Sequence, residues 1–340
     1  MKAAVFKGAG QPLEIAEVDN PRPKYGEALV KVKACGVCAT DLHYLHGTPT
    51  FKKPPLILGH EISGVVEEVG EGVEGVGVGD VVIVPPVISC GACGRCREGR
   101  DNICENMKMV GNHIDGGFAE YLTVPAKILV KLPQNLPVYD SAIISDAVST
   151  PFHAVRNRAR IMGGEWVAVF GCGGVGIHAV QSAAAFGASV IAVDIDDRKL
   201  RLARELGAVE TVNPSEVDVV KTIQRMTSGG VDAAFEIIGK PATLEQAFSL
   251  VRPGGRLVVV GYSAENWSLR ASRVMFREIS VLGSLGCRLA EYPTIVKMVA
   301  SGRLKLAPTI SDRLSFEEVN DALKRLEEGK VVGRQIVVVS

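Results

Sequence analysis

The sequence has no surplus of charge: 38 Lys and Arg against 38 Asp and Glu leave a formal net charge of zero at neutral pH. That balance offers no electrostatic footprint for nucleic acid or for an acidic membrane surface. Long apolar runs are missing too. No stretch approaches the roughly 20 residues that span a bilayer, so no membrane partner is expected. Met1–Phe6 lacks the extended apolar core of a secretory leader, and the chain reads as soluble and cytoplasmic. Internal repeats and low-complexity segments are absent. What remains is an ordinary globular composition, 47% hydrophobic and 22% charged, in a chain whose 340 residues suffice for roughly two domains with sizeable cores. Eight cysteines in such a chain argue for metal binding before disulfides.

The stretch Trp166 to Asp194 reads WVAVFGCGGVGIHAVQSAAAFGASVIAVD. A β-branched apolar run, Val167–Phe170, leads into Gly171-Cys172-Gly173-Gly174-Val175-Gly176, which fits G-x-G-x-x-G. An Ala-rich helical stretch, Gly187, a second apolar strand (Ser189–Val193) and Asp194 follow. Strand, glycine turn, helix, strand and acid in this order form a dinucleotide-binding βαβ unit. The turn lets backbone approach a pyrophosphate at the helix N-terminus, and the acid can accept hydrogen bonds from an adenosine ribose. The plainer alternative is a tight glycine turn in some other α/β domain.

Residues 1–150 are rich in short strands and glycine turns: Ala3–Phe6, Ala28–Ala34, Gly64–Val69, Val81–Val84 and Phe118–Val124 carry alternating or β-branched apolar residues. They imply a β-rich, barrel-like domain. Two patterns in it pair Cys, His and carboxylate, the ligand chemistry of zinc: Cys35-Gly-Val-Cys38-Ala-Thr40-Asp41-Leu-His43, and Gly59-His60-Glu61. Each alone is equally compatible with a buried apolar cysteine or a satisfied core histidine. A third pattern is stronger. Cys90, Cys93, Cys96 and Cys104 stand at C-x2-C-x2-C-x7-C, a tetrahedral sulfur shell with no open position, hence a structural zinc site. A glycine-rich loop with little apolar core would take its order from the metal. Disulfides, or a zinc ribbon gripping nucleic acid, are the alternatives. Glu98, Asp101 and Glu105 offset the nearby basic residues, and no aromatics interleave.

Tyr139–Arg160 reads as an apolar helical stretch. It holds Asp146, either paired or metal-bound in the interior or an exposed cap carboxylate. From Gly163 onward strands alternate with helices: Val167–Phe170, Val190–Val193, Ala233–Ile237, Arg256–Val260 and Ser280–Leu282, with helices including Arg198–Leu206 and Thr243–Leu250. That alternation means a doubly wound parallel sheet. Leu314–Glu328 is patterned as an amphipathic helix, and Gly333–Val339 as a final strand.

Taken together, the glycine-bracketed Cys-x-Thr-Asp-x-His, the Gly-His-Glu and the four-cysteine lobe ahead of a Rossmann unit resemble the zinc-dependent alcohol dehydrogenases of the medium-chain dehydrogenase/reductase family. The resemblance spans essentially the whole chain. It implies an α/β fold: a GroES-like, β-rich catalytic domain (1–147 and 288–340, structural zinc lobe 89–106) and a Rossmann domain (148–287), with the active site in the cleft between them. It implies that Cys38, His60 and Asp146 hold a catalytic zinc, with Glu61 adjoining the metal and Asp41 fixing the His60 tautomer. Thr40 would bond the substrate oxygen and His43 would end a proton relay. Cys90, Cys93, Cys96 and Cys104 would bind the second, structural zinc. For the cofactor it implies Thr150 against the nicotinamide and Gly171, Gly173, Gly174, Val175 and Gly176 at the pyrophosphate. Asp194 and Lys199 would meet the adenosine ribose, backbone at Gly261, Ser284 and Leu285 the carboxamide, and Arg334 a phosphate. Ala39 stands where some relatives place Arg or His against that phosphate.

The activity implied is hydride transfer between NAD(H) and an alcohol or ketone. Asp194 favours NAD(H) over NADP(H), because a carboxylate repels a 2′-phosphate; Arg198 and Lys199 nearby leave NADP(H) open. Leu45, His46, Phe51, Asn112, His113, Val148, Phe152, Tyr262 and Leu285 are candidate pocket residues whose mix suits an apolar or cyclic secondary alcohol or ketone. Polyol, threonine or aldehyde specificity is the alternative within the fold, and a non-catalytic zinc- and nucleotide-binding protein the alternative outside it. The Ser280–Leu282 strand resembles the segment through which relatives pair, so a homodimer or homotetramer is expected.

Overall fold

The computed structural model describes residues 1–340. They form two compact units: Met1–Ser149 with Cys287–Gly302 and Leu306–Ser340, and Thr150–Gly286 with Arg303–Lys305.

The first unit is built on the long strand Glu27–Gly36. It pairs antiparallel with Glu61–Val69, with Tyr121–Pro125 and, from the far end of the chain, with Arg334–Val338. The C-terminal strand is buried except at its last residue, so the tail belongs to this core rather than to the surface. Register Gly36↔Glu61 sets the two strands' ends side by side. A Cβ on Gly36 would stand 2.1 Å from Glu61 Oε2, so only glycine leaves room for that carboxylate. A second, three-stranded sheet is built from Glu14–Glu17, Lys2–Phe6 and Leu56–Ile57.

The second unit is a six-stranded parallel sheet in the order 208–212, 189–193, 166–170, 231–236, 251–259, 280–283. Counted from Trp166–Phe170 this is 3-2-1-4-5-6, the doubly wound arrangement that puts a ligand crevice at the carboxyl end of the first strand. Every residue of Val231–Glu236 is buried, as expected of a parallel strand covered on both faces.

Two helical expectations are corrected. Tyr139–Arg160 is not one helix. A 3-10 turn, Asp140–Ser145, stops at Asp146 (φ −139°, ψ −58°), and Ser149–His153 then starts a new helix. Ser145 and Ser149 hydroxyls bond Ala142 O and Ser145 O, which lets the backbone leave helical geometry between them. The amphipathic helix after Leu314 is shorter than its pattern. Ile310–Ser315 is a strand, a 3-10 turn Phe316–Glu318 closed by Ser315 and Glu318 in a reciprocal capping box follows, and Val319–Glu327 is the helix.

Candidate active site

Cys38 caps the short helix Ala39–Leu45 at the end of strand Glu27–Gly36. Three residues on, Asp41 is fully buried and accepts Cys38 N–H (3.1 Å) and Gly59 N–H (3.3 Å). One carboxylate thus ties together the two loops that carry Cys38 and His60. Its Oδ1 lies 3.5 Å from His60 Nδ1, which leaves Nε2 directed at Asp146 Oδ2, 3.6 Å away. Donor atoms of Cys38, His60, Glu61 and Asp146 all lie within 4.8 Å of one another. Asp146 reaches the group because the helical stretch breaks there.

The donor set fits a borderline-soft dication: one thiolate, one imidazole and two carboxylates. One of its atoms, Glu61 Oε2, is buried with no hydrogen-bond partner, an arrangement a cation would satisfy. Burial pushes the Cys38 thiol up, but the Arg334 guanidinium and His60 outweigh it and hold its pKa below the ordinary value. Burial opposes a charged His60, yet Asp41 and Cys38 push its pKa well up. Glu61's carboxyl is pushed up by burial against the pull of Arg334.

Arg334 has different company from the phosphate that the resemblance assigns to it. Its guanidinium is 4% exposed and donates to Glu61 Oε1 (2.6 Å), Val37 O (3.2 Å) and Cys38 Sγ (3.6 Å). A buried guanidinium needs a carboxylate. Stranding one partner of such a pair costs about 3–5 kcal/mol, so Arg334 belongs electrostatically to the donor cluster. No local sequence signal marks this role, since the partners are 273 positions apart.

Thr40 and His43 sit three apart on the Ala39–Leu45 helix, hence on one face, and both are half-buried. Thr40 Oγ1 lies 3.7 Å from Cys38 Sγ. Among the candidate pocket residues, His46 is paired with Glu327 (2.7 Å) and His113 stacks on Phe51 at 4.0 Å between ring centroids. Asn112 donates to the Tyr44 hydroxyl and accepts Phe51 N–H at 2.9 Å. Val148 and Phe152 are fully buried packing residues.

The four lobe cysteines form a second cluster, with Sγ separations of 3.5 Å (Cys93–Cys96) and 3.9 Å (Cys90–Cys96 and Cys93–Cys104). Four sulfurs each about 2.3 Å from one zinc stand about 3.8 Å apart, so the shell fits that ion. Amide donors converge on it: Ala92 and Cys93 on Cys90 Sγ, Cys90 and Asn106 on Cys104 Sγ.

In the second unit, the backbone of the glycine turn is open to a ligand where it needs to be. A Cβ on Gly173 would meet nothing within 4 Å, whereas one on Gly176 would stand 1.7 Å from Gly171 O. The first position leaves a cradle; the second lets the helix Gly176–Ala185 pack against the turn. No side chain caps that helix's first turn; Ile177 and His178 N–H bond Gly173 O (2.9 Å) and Val175 O (3.1 Å), and the positive end of the helix dipole faces the turn. Gly174 and Val175 complete the same turn. Asp194 follows the strand Ser189–Val193 and accepts Cys172 N–H (2.8 Å) and Asp196 N–H (3.0 Å), which fixes its carboxylate beside the turn. Lys199 is half-buried on the next helix, Asp197–Glu205. Gly261 packs against Gly239, Ser284 N–H bonds Val259 O at 3.0 Å, Leu285 is half-exposed, and Thr150 begins the unit.

The chain matches the zinc-binding dehydrogenase family over residues 174–301 and the alcohol dehydrogenase GroES-like domain over residues 24–134. It is 40% identical to an alcohol dehydrogenase of Geobacillus stearothermophilus across 100% of both chains. The chain belongs to the zinc-dependent alcohol dehydrogenases of the medium-chain dehydrogenase/reductase family. An L-threonine 3-dehydrogenase of Pyrococcus horikoshii is 36% identical over 98% of each chain. A Sinorhizobium meliloti protein described as a zinc-binding dehydrogenase and solved with NADP superposes with a TM-score of 0.92, at 35% identity and 99% coverage of each chain. No helix of this family member is long and apolar enough to cross a membrane.

Proposed function

We propose that this dehydrogenase interconverts alcohols with ketones or aldehydes using NAD(H). A catalytic zinc would be held by Cys38, His60 and Asp146 with Glu61 adjoining, and a structural zinc by Cys90, Cys93, Cys96 and Cys104. The observation that carries the proposal is the convergence of four donors, from three separate chain segments, within 4.8 Å. Held in such a set, zinc would supply Lewis acidity toward the substrate oxygen, and a bound nicotinamide would supply a hydride donor or acceptor. The chain's own residues prepare that chemistry. Arg334 and His60 favour the thiolate form of Cys38, Asp41 orients the His60 ring, Thr40 bonds the substrate hydroxyl, and His43 on the same helix face takes its proton onward. Burial and the neighbouring His46 lower the His43 pKa, so the ring is neutral and able to accept at pH 7.

Support for NAD(H) over NADP(H) comes from two carboxylates. Asp194 stands at the tip of the strand where a 2′-phosphate would be repelled. Arg198, a candidate phosphate partner, is committed to Asp196 through Nε (3.0 Å) and Nη2 (2.7 Å). For the substrate, the candidate pocket favours an apolar or cyclic secondary alcohol. The Pyrococcus relative makes L-threonine the second reading.

The test is NADH oxidation at neutral pH against aldehydes, aliphatic ketones and cyclic or aryl ketones, with L-threonine oxidation alongside, all repeated with the phosphorylated cofactor. The proposal expects turnover of ketones with kcat/KM higher for NADH than for NADPH. Threonine turnover alone moves the substrate to the second reading. Silence on every substrate, with zinc and NADH both bound, overturns catalysis in favour of a binding protein.

A further inference from the structure

Asp146 reaches the donor cluster from a broken helix, and the break leaves a carbonyl to satisfy. Ser145 O, in the peptide immediately before Asp146, ends the 3-10 turn Asp140–Ser145. Carbonyls at a helix end have no donor within the helix. This one takes its donor from the C-terminal part of the chain: the Tyr292 hydroxyl donates to it at 2.7 Å. Ser149 Oγ lies 2.9 Å from the same oxygen and 3.1 Å from the Tyr292 hydroxyl, which closes a triangle. With the phenol proton on Ser145 O, the Ser149 proton goes either to that carbonyl or to the phenol oxygen.

Tyr292 opens the helix Tyr292–Ala300 and is 1% exposed, so its ring is packing, but its hydroxyl serves only this corner. Burial pushes the phenol pKa well up, so it stays a donor across the working range of pH. The other side of Ser145 is also held. Its hydroxyl accepts Ile62 N–H (2.9 Å) and donates to Ala142 O, and Ile62 directly follows His60 and Glu61. The segment before Tyr292 is anchored in turn: Leu289 N–H donates to Asp101 Oδ2 at 3.0 Å, inside the four-cysteine lobe.

We infer that Tyr292 is a positioning residue for the catalytic metal. Its hydroxyl, bonded to Ser145 O, fixes the non-helical turn from which Asp146 meets Cys38 and His60, and Ser149 serves as the second hydroxyl. The inference rests on the reading of Cys38, His60 and Asp146 as metal ligands. A peptide free to rotate at Ser145 would let the Asp146 carboxylate swing, and loss of outer-shell support of this kind typically costs about 10–100-fold in metal affinity.

The experiment compares Tyr292→Phe, Ile295→Val and Asp146→Ala with wild type in the full-length, zinc-loaded protein. Ile295 is fully buried on the same helix and carries no polar atom, so its variant loosens packing alone. The readouts are zinc release to a chromophoric chelator and the visible spectrum after cobalt(II) replaces the catalytic zinc; circular dichroism checks folding. Tyr292→Phe is expected to release one of its zinc equivalents about tenfold faster or more, with a shifted cobalt spectrum and the other equivalent unchanged. Ile295→Val should leave both readouts at wild type. Two results overturn the inference: wild-type release and spectrum in Tyr292→Phe while Asp146→Ala loses zinc, or equal acceleration in Ile295→Val. Unchanged zinc in Asp146→Ala overturns the ligand reading itself, and the inference with it.

Discussion

His43 shows how a single residue's surroundings set its chemistry. It is half-buried, and burial together with the adjacent His46 depresses its pKa below 6.5. The sign follows directly. A depressed pKa keeps the ring neutral at pH 7, and only below the shifted value does it protonate and lose the capacity to accept a proton that the proposed relay requires. The pH profile of kcat/KM for alcohol oxidation should therefore lose activity below pH 6.5, not above it. His43→Gln should flatten that limb and lower turnover by about 10²–10⁴-fold, the usual weight of a proton-transfer group. An unchanged profile in the variant would remove His43 from the relay. At the same scale, the motif types were legible in the sequence because zinc chemistry restricts ligands to few residue kinds at short spacing. Asp146 stayed ambiguous, since one acid in an apolar run has two physical explanations. The Glu61–Arg334 pair and the Tyr292 hydroxyl were not legible at all.

Among the elements, the four-cysteine lobe is the clearest case of order without an apolar core. Its pieces are a four-residue helix, Gly94–Arg97, with no buried residue, and a three-residue 3-10 turn, Asp101–Ile103. Neither would hold its shape alone. The amide hydrogen bonds from Ala92 and Cys93 lower the Cys90 pKa to about 6, while burial and Cys93 raise Cys96 to about 12. A zinc ion bound there would meet one thiol ready as a thiolate and another whose proton it would have to displace. Cys93→Ser should remove one zinc per chain, lower Tm by several degrees and open the lobe to protease. The lobe's zinc affinity should fall as pH falls, and more steeply below about 6, where Cys90 of the metal-free lobe also holds a proton that zinc must displace. Zinc analysis, thermal unfolding and limited proteolysis check each part; an unchanged Tm would mean that the lobe is ordered by packing. The elements that resisted reading were those whose ends are set by side chains. The breaks at Asp146 and before Val319 depend on Ser145, Ser149 and Ser315 bonding the backbone, which an apolar periodicity does not record.

Across the whole molecule, the parallel sheet has two open edges, Ala208–Val212 and Ser280–Gly283. Strand Ser280–Gly283 pairs on one side only, with Val251–Val259, and presents Val281 to solvent; the preceding helix Ala271–Arg277 exposes Met275 and Phe276. An unpaired edge beside exposed apolar side chains is a surface that native proteins ordinarily cover. Sedimentation should find species of two or four 36.1 kDa chains, and Val281→Lys should shift them toward one. A wild-type monomer would refute the pairing.

The sequence by itself determined the chemistry available to this protein. Four cysteines at fixed spacing, a Cys-x-Thr-Asp-x-His, a Gly-His-Glu and a glycine turn between two buried strands are local patterns, because ligand geometry and backbone sterics act over a few residues. Only the tertiary structure decided how that chemistry is assembled. It brought Asp146 to His60 through a broken helix, set Arg334 from the last strand against Glu61 and Cys38, and placed Tyr292 on the carbonyl before Asp146. Those contacts join residues far apart in the chain, and what selects them is the cost of burying charges and polar groups without partners, a property of the folded interior that no local pattern carries.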